Sequence, residues 1–378
     1  MTDRGFTLVE LLLATVITLL VVGAGLAMAG AARWSLAVEP ATIDTFRRAR
    51  EGVMALADAI ADAGGGVAMG DGSWALDQTL PVVRPLTALD GSPGARFTAI
   101  GLLRSVPGAV GRLALAQTGP GGSLTLDRAA PCPRSTPVCG FRVDDVAVVF
   151  DGRGRFDVFQ IAAVSDALAR LTPPAALSRA YGEGAWVVAA RADRFGLVRQ
   201  VDGSQTLTRL TFTGASEPLV DGVVDLEVVP WGRPDVPGLR DADEGPGLAS
   251  WGLMPPPADE ADDDEVFADG EHCMVYRSGG KPRSRLSARV PDAEGLARLA
   301  PFDFTDGPWC PLEGAAAAFD ADLLRVQRID IRMRVEVLSA EFRGPAGRLF
   351  ARGGTATLAA PRWIQDRIIA FSVGLANR

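Results

Sequence analysis

Arg4-Gly5-Phe6-Thr7-Leu8-Val9-Glu10 opens the chain, and an uncharged, mostly apolar run from Leu11 to Ala32 follows directly. At 1.5 Å per residue that run makes a helix of about 33 Å, close to the thickness of a bilayer core. Glu10 intrudes near its start. A charged side chain at the centre of a membrane helix costs about 2.5–3.5 kcal/mol on insertion scales, and less near its end. Such a charge calls for a partner, and cutting the chain just ahead of the run would create one, a new amino terminus. Two plainer readings compete. A secretory signal would use Ala27-Met28-Ala29 or Ala29-Gly30-Ala31 as its cleavage site, but Met1-Thr2-Asp3-Arg4 carries no net side-chain charge. A simple membrane anchor leaves Glu10 unexplained.

These residues resemble the class III signal of type IV prepilins and type II secretion pseudopilins. The resemblance covers about the first thirty residues. It implies that a prepilin peptidase cuts between Gly5 and Phe6, that Phe6 is then N-methylated, and that the apolar helix stays on the mature protein. It further implies that Glu10 pairs with the N-terminal amine of a neighbouring subunit.

The chain has 378 residues, long enough for a substantial soluble part of one or two domains. Its 43 Gly and 26 Pro favour a loop-rich β fold over a helical bundle. A net charge of −8 and only two Tyr argue against a nucleic-acid partner, which would ask for a basic face or aromatic stacking. The four cysteines are Cys132, Cys139, Cys273 and Cys310. Export across the membrane would place them where disulfides persist. The favoured pairing is Cys132 with Cys139, closing a short Pro-rich loop, and Cys273 with Cys310. Three connectivities remain open. A zinc site is the rival, poorly supported with His272 as the sole histidine and no C-x-x-C.

The expected organisation is a leader over 1–5, a membrane-spanning or filament-core helix over 6–32, an amphipathic continuation over 33–66, and a β-rich body over 67–378. Ile43, Phe46, Val53, Leu56 and Ile60 recur near helical spacing. Pro40 is expected to kink or restart the helix, and Gly64-Gly65-Gly66 to end it. Strands are expected at Arg96–Leu103, Asp145–Phe150, Phe156–Val164, Ala185–Ala190, Gln205–Phe212, Gly222–Val229 and Ile368–Leu375. The clearest is Arg328–Val337. There Ile329, Ile331, Met333, Val335 and Val337 alternate with Asp330, Arg332, Arg334 and Glu336, a half-buried strand with a charged outer face. The fold class is therefore α+β, a long N-terminal helix packed on an antiparallel β-sheet with long loop insertions at about 234–311. Pro234–Asp269 and His272–Pro311 read as surface loops.

Catalysis finds no footing. One histidine, no G-x-S-x-G, no P-loop and no G-x-G-x-x-G leave neither a nucleophile with its base nor a phosphate cradle. Asp144, Asp145 and Asp151 read as turn residues. The acidic run Asp259, Glu260, Asp262, Asp263, Asp264 and Glu265 is a calcium candidate, but it lacks the EF-hand spacing, and a solvated loop is the favoured reading. No other cofactor is expected.

A second, looser resemblance is to large minor pilins of the PilW type and to the J-type minor pseudopilin. It rests on Asp221-Gly222-Val223-Val224-Asp225-Leu226-Glu227-Val228 and on the later strand Arg328–Val337. It implies a non-enzymatic subunit that initiates or caps a pilus at its tip. The implied partners are the prepilin peptidase, other minor and major pilins, and the inner-membrane assembly platform. The implied location is the inner membrane with the body in the periplasm, then the pilus or pseudopilus. Alternatives are a pseudopilin of type II secretion and a tip adhesin or DNA-uptake pilin whose body binds a ligand.

Overall fold

The computed structural model describes residues 7–64, 67–69, 72–74, 81–90, 92–128, 137–150, 156–234, 275–278, 281–284, 286, 289–305, 309–310, 319–356 and 363–375. The expected α+β class holds: one long helix, Leu8–Ala61, precedes a set of largely antiparallel sheets. The chain divides into two compact units, Met1–Arg50 with Val335–Arg367, and Glu51–Arg334 with Ile368–Arg378.

The helix continues through Pro40, which neither stops nor restarts it. Proline removes its own N–H donor and crowds the carbonyl four residues back, a local cost that the 54-residue helix carries; Thr42 and Thr45 add side-chain hydrogen bonds to the carbonyls of Val38 and Ala41 at 2.8 Å. In the first unit Val38 and Ala41 pack against a small core of Val337, Phe342 and Ile364. Phe46 lies under the Arg367 guanidinium at 4.3 Å. Gly344 is held against Phe350, where a Cβ would stand 2.6 Å from the ring.

Glu336 corrects the sequence reading. The strand ends at Val335, and Glu336 is completely buried rather than on a charged outer face. Its carboxylate accepts from Arg343 Nη1 at 2.7 Å and Arg352 Nε at 3.0 Å, and Arg352 Nη2 binds its other oxygen. Arg48 of the helix donates to the Glu336 carbonyl at 3.2 Å and to Asp44 at 2.8 Å. Two guanidiniums offset the desolvation that would otherwise keep this carboxylate outside.

In the second unit the last helical turns bury Leu56 and Ile60 fully, each contributing about 1.5–3 kcal/mol. Gly52 sits against Met333, whose Cε would lie 2.8 Å from an added Cβ. The helix ends in a turn at 62–64, where Gly64 adopts φ 74° and donates to the Leu103 carbonyl at 3.0 Å. Asp62 bridges to Arg104 at 3.0 Å.

The spine of the seven-stranded sheet is Trp186–Arg199. Along one side it pairs with Ala99–Arg112. On the other side its first residues pair with Val146–Phe150 and its later ones with Gln205–Thr211. Val83–Leu86, Phe156–Gln160 and Ser216–Asp221 complete the sheet, each paired antiparallel with its neighbour. The spine strand runs well past the expected end at Ala190, because Arg191, Asp193 and Arg194 mask its alternation while the strand is held on both sides. Val83–Leu86 and Ser216–Asp221 were not expected at all; each carries a proline, which lowers the strand signal and is tolerated on these outer strands.

The second sheet has the order Ala297–Arg298, Val223–Gly232, Val326–Val335, Arg367–Gly374. Gly222, at φ 74°, turns the chain between Ser216–Asp221 and Val223–Gly232. A bridge between Phe97 and Val228 links the two sheets. A core of Phe141, Ile161, Leu171, Tyr181 and Val187 fills the space beside the three-stranded sheet Leu124–Thr125, Arg170–Thr172, Ala163–Ser165. Asp144 and Asp145 are turn residues, Asp145 accepting the Arg142 N–H at 2.8 Å.

Within 272–311, expected as a partly ordered surface loop, the described residues include strands and buried side chains. Val275–Ser278 and Lys281–Ser284 pair antiparallel, and Leu286, Leu296, Ala297 and Leu299 are buried. These apolar residues are too widely spaced to show a period. Residues 235–274, with the acidic run 259–265, Cys273 and His272, lie outside the described residues.

Candidate membrane and assembly site

Leu8–Leu26 forms the only candidate span among the described residues, with a mean hydropathy of 2.3 and none of it buried in the protein. Leu19 is 71% exposed and Leu20 68%. A helix apolar all round and bare of its own protein needs lipid or other helices about it. Its two hydroxyls need no water: Thr15 donates to the Leu12 carbonyl at 2.8 Å and Thr18 to Ala14 at 2.7 Å. Nothing lies within 4 Å of a Cβ placed at Gly23 or Gly25.

Thr7 caps this helix and Glu10 is its third residue. The Glu10 N–H donates to Thr7 Oγ1 at 3.3 Å, and the Glu10 carboxylate accepts from the Thr7 N–H at 3.0 Å and the Thr7 hydroxyl at 2.9 Å. This reciprocal arrangement is a capping box, which satisfies two donors that the first helical turn would leave open. It also sets the carboxylate where the helix dipole favours negative charge. The role of Thr7 is not among the sequence expectations, although the T-x-x-E spacing of a capping box is present in Thr7-Leu8-Val9-Glu10.

Gly5 and Phe6, the expected cleavage pair, lie outside the described residues, as do Cys132 and the calcium candidates Asp259, Glu260, Asp262, Asp263, Asp264 and Glu265. Cys139 is disulfide-bonded and buried against the Phe141 core. The backbone of Cys310 pairs with Phe319. Among the described residues no cluster of three metal-ligating side chains occurs.

Residues 1–26 match the family model described as the prokaryotic N-terminal methylation motif. The N-terminus is therefore of the type IV pilin-like or pseudopilin kind, and an apolar helix suited to a membrane anchor follows it. Comparison with curated proteins gives no match.

Proposed function

We propose that this chain is a minor type IV pilin. A prepilin peptidase cuts it between Gly5 and Phe6, Phe6 is methylated, and the subunit initiates or caps pilus assembly at the tip. The observation that carries this reading is Glu10, held by a helix cap at the mouth of a bare apolar span. A cap satisfies the carboxylate's hydrogen bonds but leaves its charge unpaired. The amine of Phe6 in a neighbouring subunit supplies the missing charge, which matters most where the dielectric is low. The membrane stores subunits by the span, and packing of that helix with major and other minor pilins on the assembly platform replaces lipid around it. The same N-terminus supports a minor pseudopilin of a type II secretion system; the operon in which the gene lies separates the two.

The test is Glu10→Ala, followed by N-terminal mass spectrometry and by the amount of the subunit in sheared filaments. Processing should persist and incorporation should fall. Wild-type incorporation of the variant refutes the charge pairing. A native mature chain that begins after Ala29 refutes the retained anchor.

A further inference from the structure

Arg84, Gly101 and Arg194 lie side by side across three neighbouring strands of the seven-stranded sheet. Arg84 is opposite Gly101, and Gly101 is opposite Arg194. Residues directly opposite each other share a face of the sheet. Two guanidinium side chains therefore rise from one face with a glycine between them, their Cα atoms about 10 Å apart by strand spacing. Gly101 leaves that gap open: a Cβ there would meet nothing closer than the Arg84 carbonyl at 3.6 Å.

The gap opens into a pocket of about 520 Å³, the size of small-molecule sites. Leu103, Phe156, Leu210 and Phe212 give it apolar walls. Neither Arg84 nor Arg194 has a carboxylate partner among the described residues, although both are exposed and the chain as a whole is acidic. Although Arg84 reaches solvent, its guanidinium is partly desolvated by the protein beside it; that desolvation, and next the charge of Arg194, hold its pKa below the ordinary arginine value. Two facing cations without a counter-ion repel each other, and an oxyanion between them would remove that repulsion.

Two carboxylates also line the pocket, and neither fills this role. Asp157 is engaged by the Ser178 N–H, the Ser178 hydroxyl and the Tyr181 hydroxyl. Asp193 precedes Arg194 on the strand, so its side chain points to the opposite face. There it lines a separate hollow with Asp58, Asp62 and Arg104.

We propose that this face of the sheet binds a small amphipathic oxyanion, a phosphate or carboxylate carried on an aromatic or apolar body. The anionic group sits over Gly101 between Arg84 and Arg194, and the body lies against Phe156 and Phe212. The proposal does not depend on the assembly reading, because every residue in it belongs to the sheet unit.

Calorimetry on the full chain in a neutral detergent at low salt tests it, with phenyl phosphate, benzoate, inorganic phosphate and benzyl alcohol as probes. Phenyl phosphate or benzoate should bind saturably at one site, and the tighter of the two identifies the oxyanion. Inorganic phosphate should bind at least tenfold more weakly, and benzyl alcohol not at all. Arg84→Gln and Arg194→Gln should each weaken binding about tenfold, and Gly101→Val should abolish it by filling the gap. Neither arginine variant should lower the melting temperature, since neither removes an ion pair and each relieves the repulsion between the two cations. Absence of saturable binding of either aromatic anion to the wild-type protein overturns the proposal. So does a double variant, Arg84→Gln with Arg194→Gln, that binds as tightly as wild type.

Discussion

Replacing Glu336 by alanine removes one anion from between two guanidiniums, one of them, Arg343, buried away from water. Glu336 has 0% side-chain exposure, Arg343 8% and Arg352 32%. At the 2.7 Å separation from Arg343, the attraction is about 6 kcal/mol for an effective dielectric of about 20. Desolvation of both groups takes back most of that in the intact pair. Once the carboxylate is gone, the desolvated Arg343 remains uncompensated, while Arg352 swings toward water. Removing one partner of a buried pair costs about 3–5 kcal/mol. The Arg48 bond to the Glu336 carbonyl does not depend on the side chain, so the helix contact itself is not the source of the loss. At about 2–4 °C per kcal/mol for a chain of a few hundred residues, Tm should fall by roughly 6–20 °C. The assay is urea and thermal unfolding of the full chain in detergent, followed by circular dichroism and by tryptophan fluorescence, to which Trp363 contributes as one of seven. That ring packs edge-on against Phe350 within the same unit. Glu336→Gln keeps the shape and loses the charge, so it should also be destabilised, though less. A loss below about 1 kcal/mol for Glu336→Ala, the size of an exposed pair, refutes the reasoning.

Gly5→Leu should leave the leader on the chain, and mass spectrometry showing an N-terminus at Phe6 in that variant contradicts the proposed cut. Asp292 accepts the Leu296 N–H at 3.0 Å and the Glu294 N–H at 2.9 Å and faces Arg328 at 3.0 Å. These contacts, the Leu296 bond foremost, hold its pKa below the ordinary carboxylate range. A lowered folded-state pKa stabilises the fold above the unfolded value, so this contribution is present at neutral pH and is lost as pH falls through the folded value. Asp292→Asn should therefore flatten the acid limb of a stability–pH curve; an unchanged limb counts against it. Adding a chelator should leave the melting temperature unchanged; a drop would show a bound divalent cation and bring the acidic run 259–265 back as its candidate site.

Local patterns carried most of what could be read from the residues. The apolar run after Glu10, the methylation motif about it and the period-two alternation of Arg328–Val337 each depend on neighbours a few positions apart. Strands such as Gln205–Thr211 and Val146–Phe150 were legible for the same reason. The Thr7–Glu10 cap is legible too, through the T-x-x-E spacing. Val83–Leu86 and Ser216–Asp221 were not, because proline weakens the strand signal and pairing with a neighbour supplies the rest. The buried leucines of 272–311, Leu286, Leu296 and Leu299, follow no period and so leave no local signal.

By itself, the order of residues determined that this protein carries an exposed apolar helix with an acid near its start, and that sheets follow. Backbone geometry and side-chain periodicity suffice for that. Tertiary structure alone decided which charges go inside and which face one another. Glu336 belongs to an alternating strand pattern that predicts exposure, and only the arrival of Arg343 and Arg352 makes its burial tolerable. Arg84 and Arg194 are remote in the chain, and only strand pairing through Gly101 sets them on one face. Burial of a charge depends on its compensating partner, and that partner is chosen by the fold.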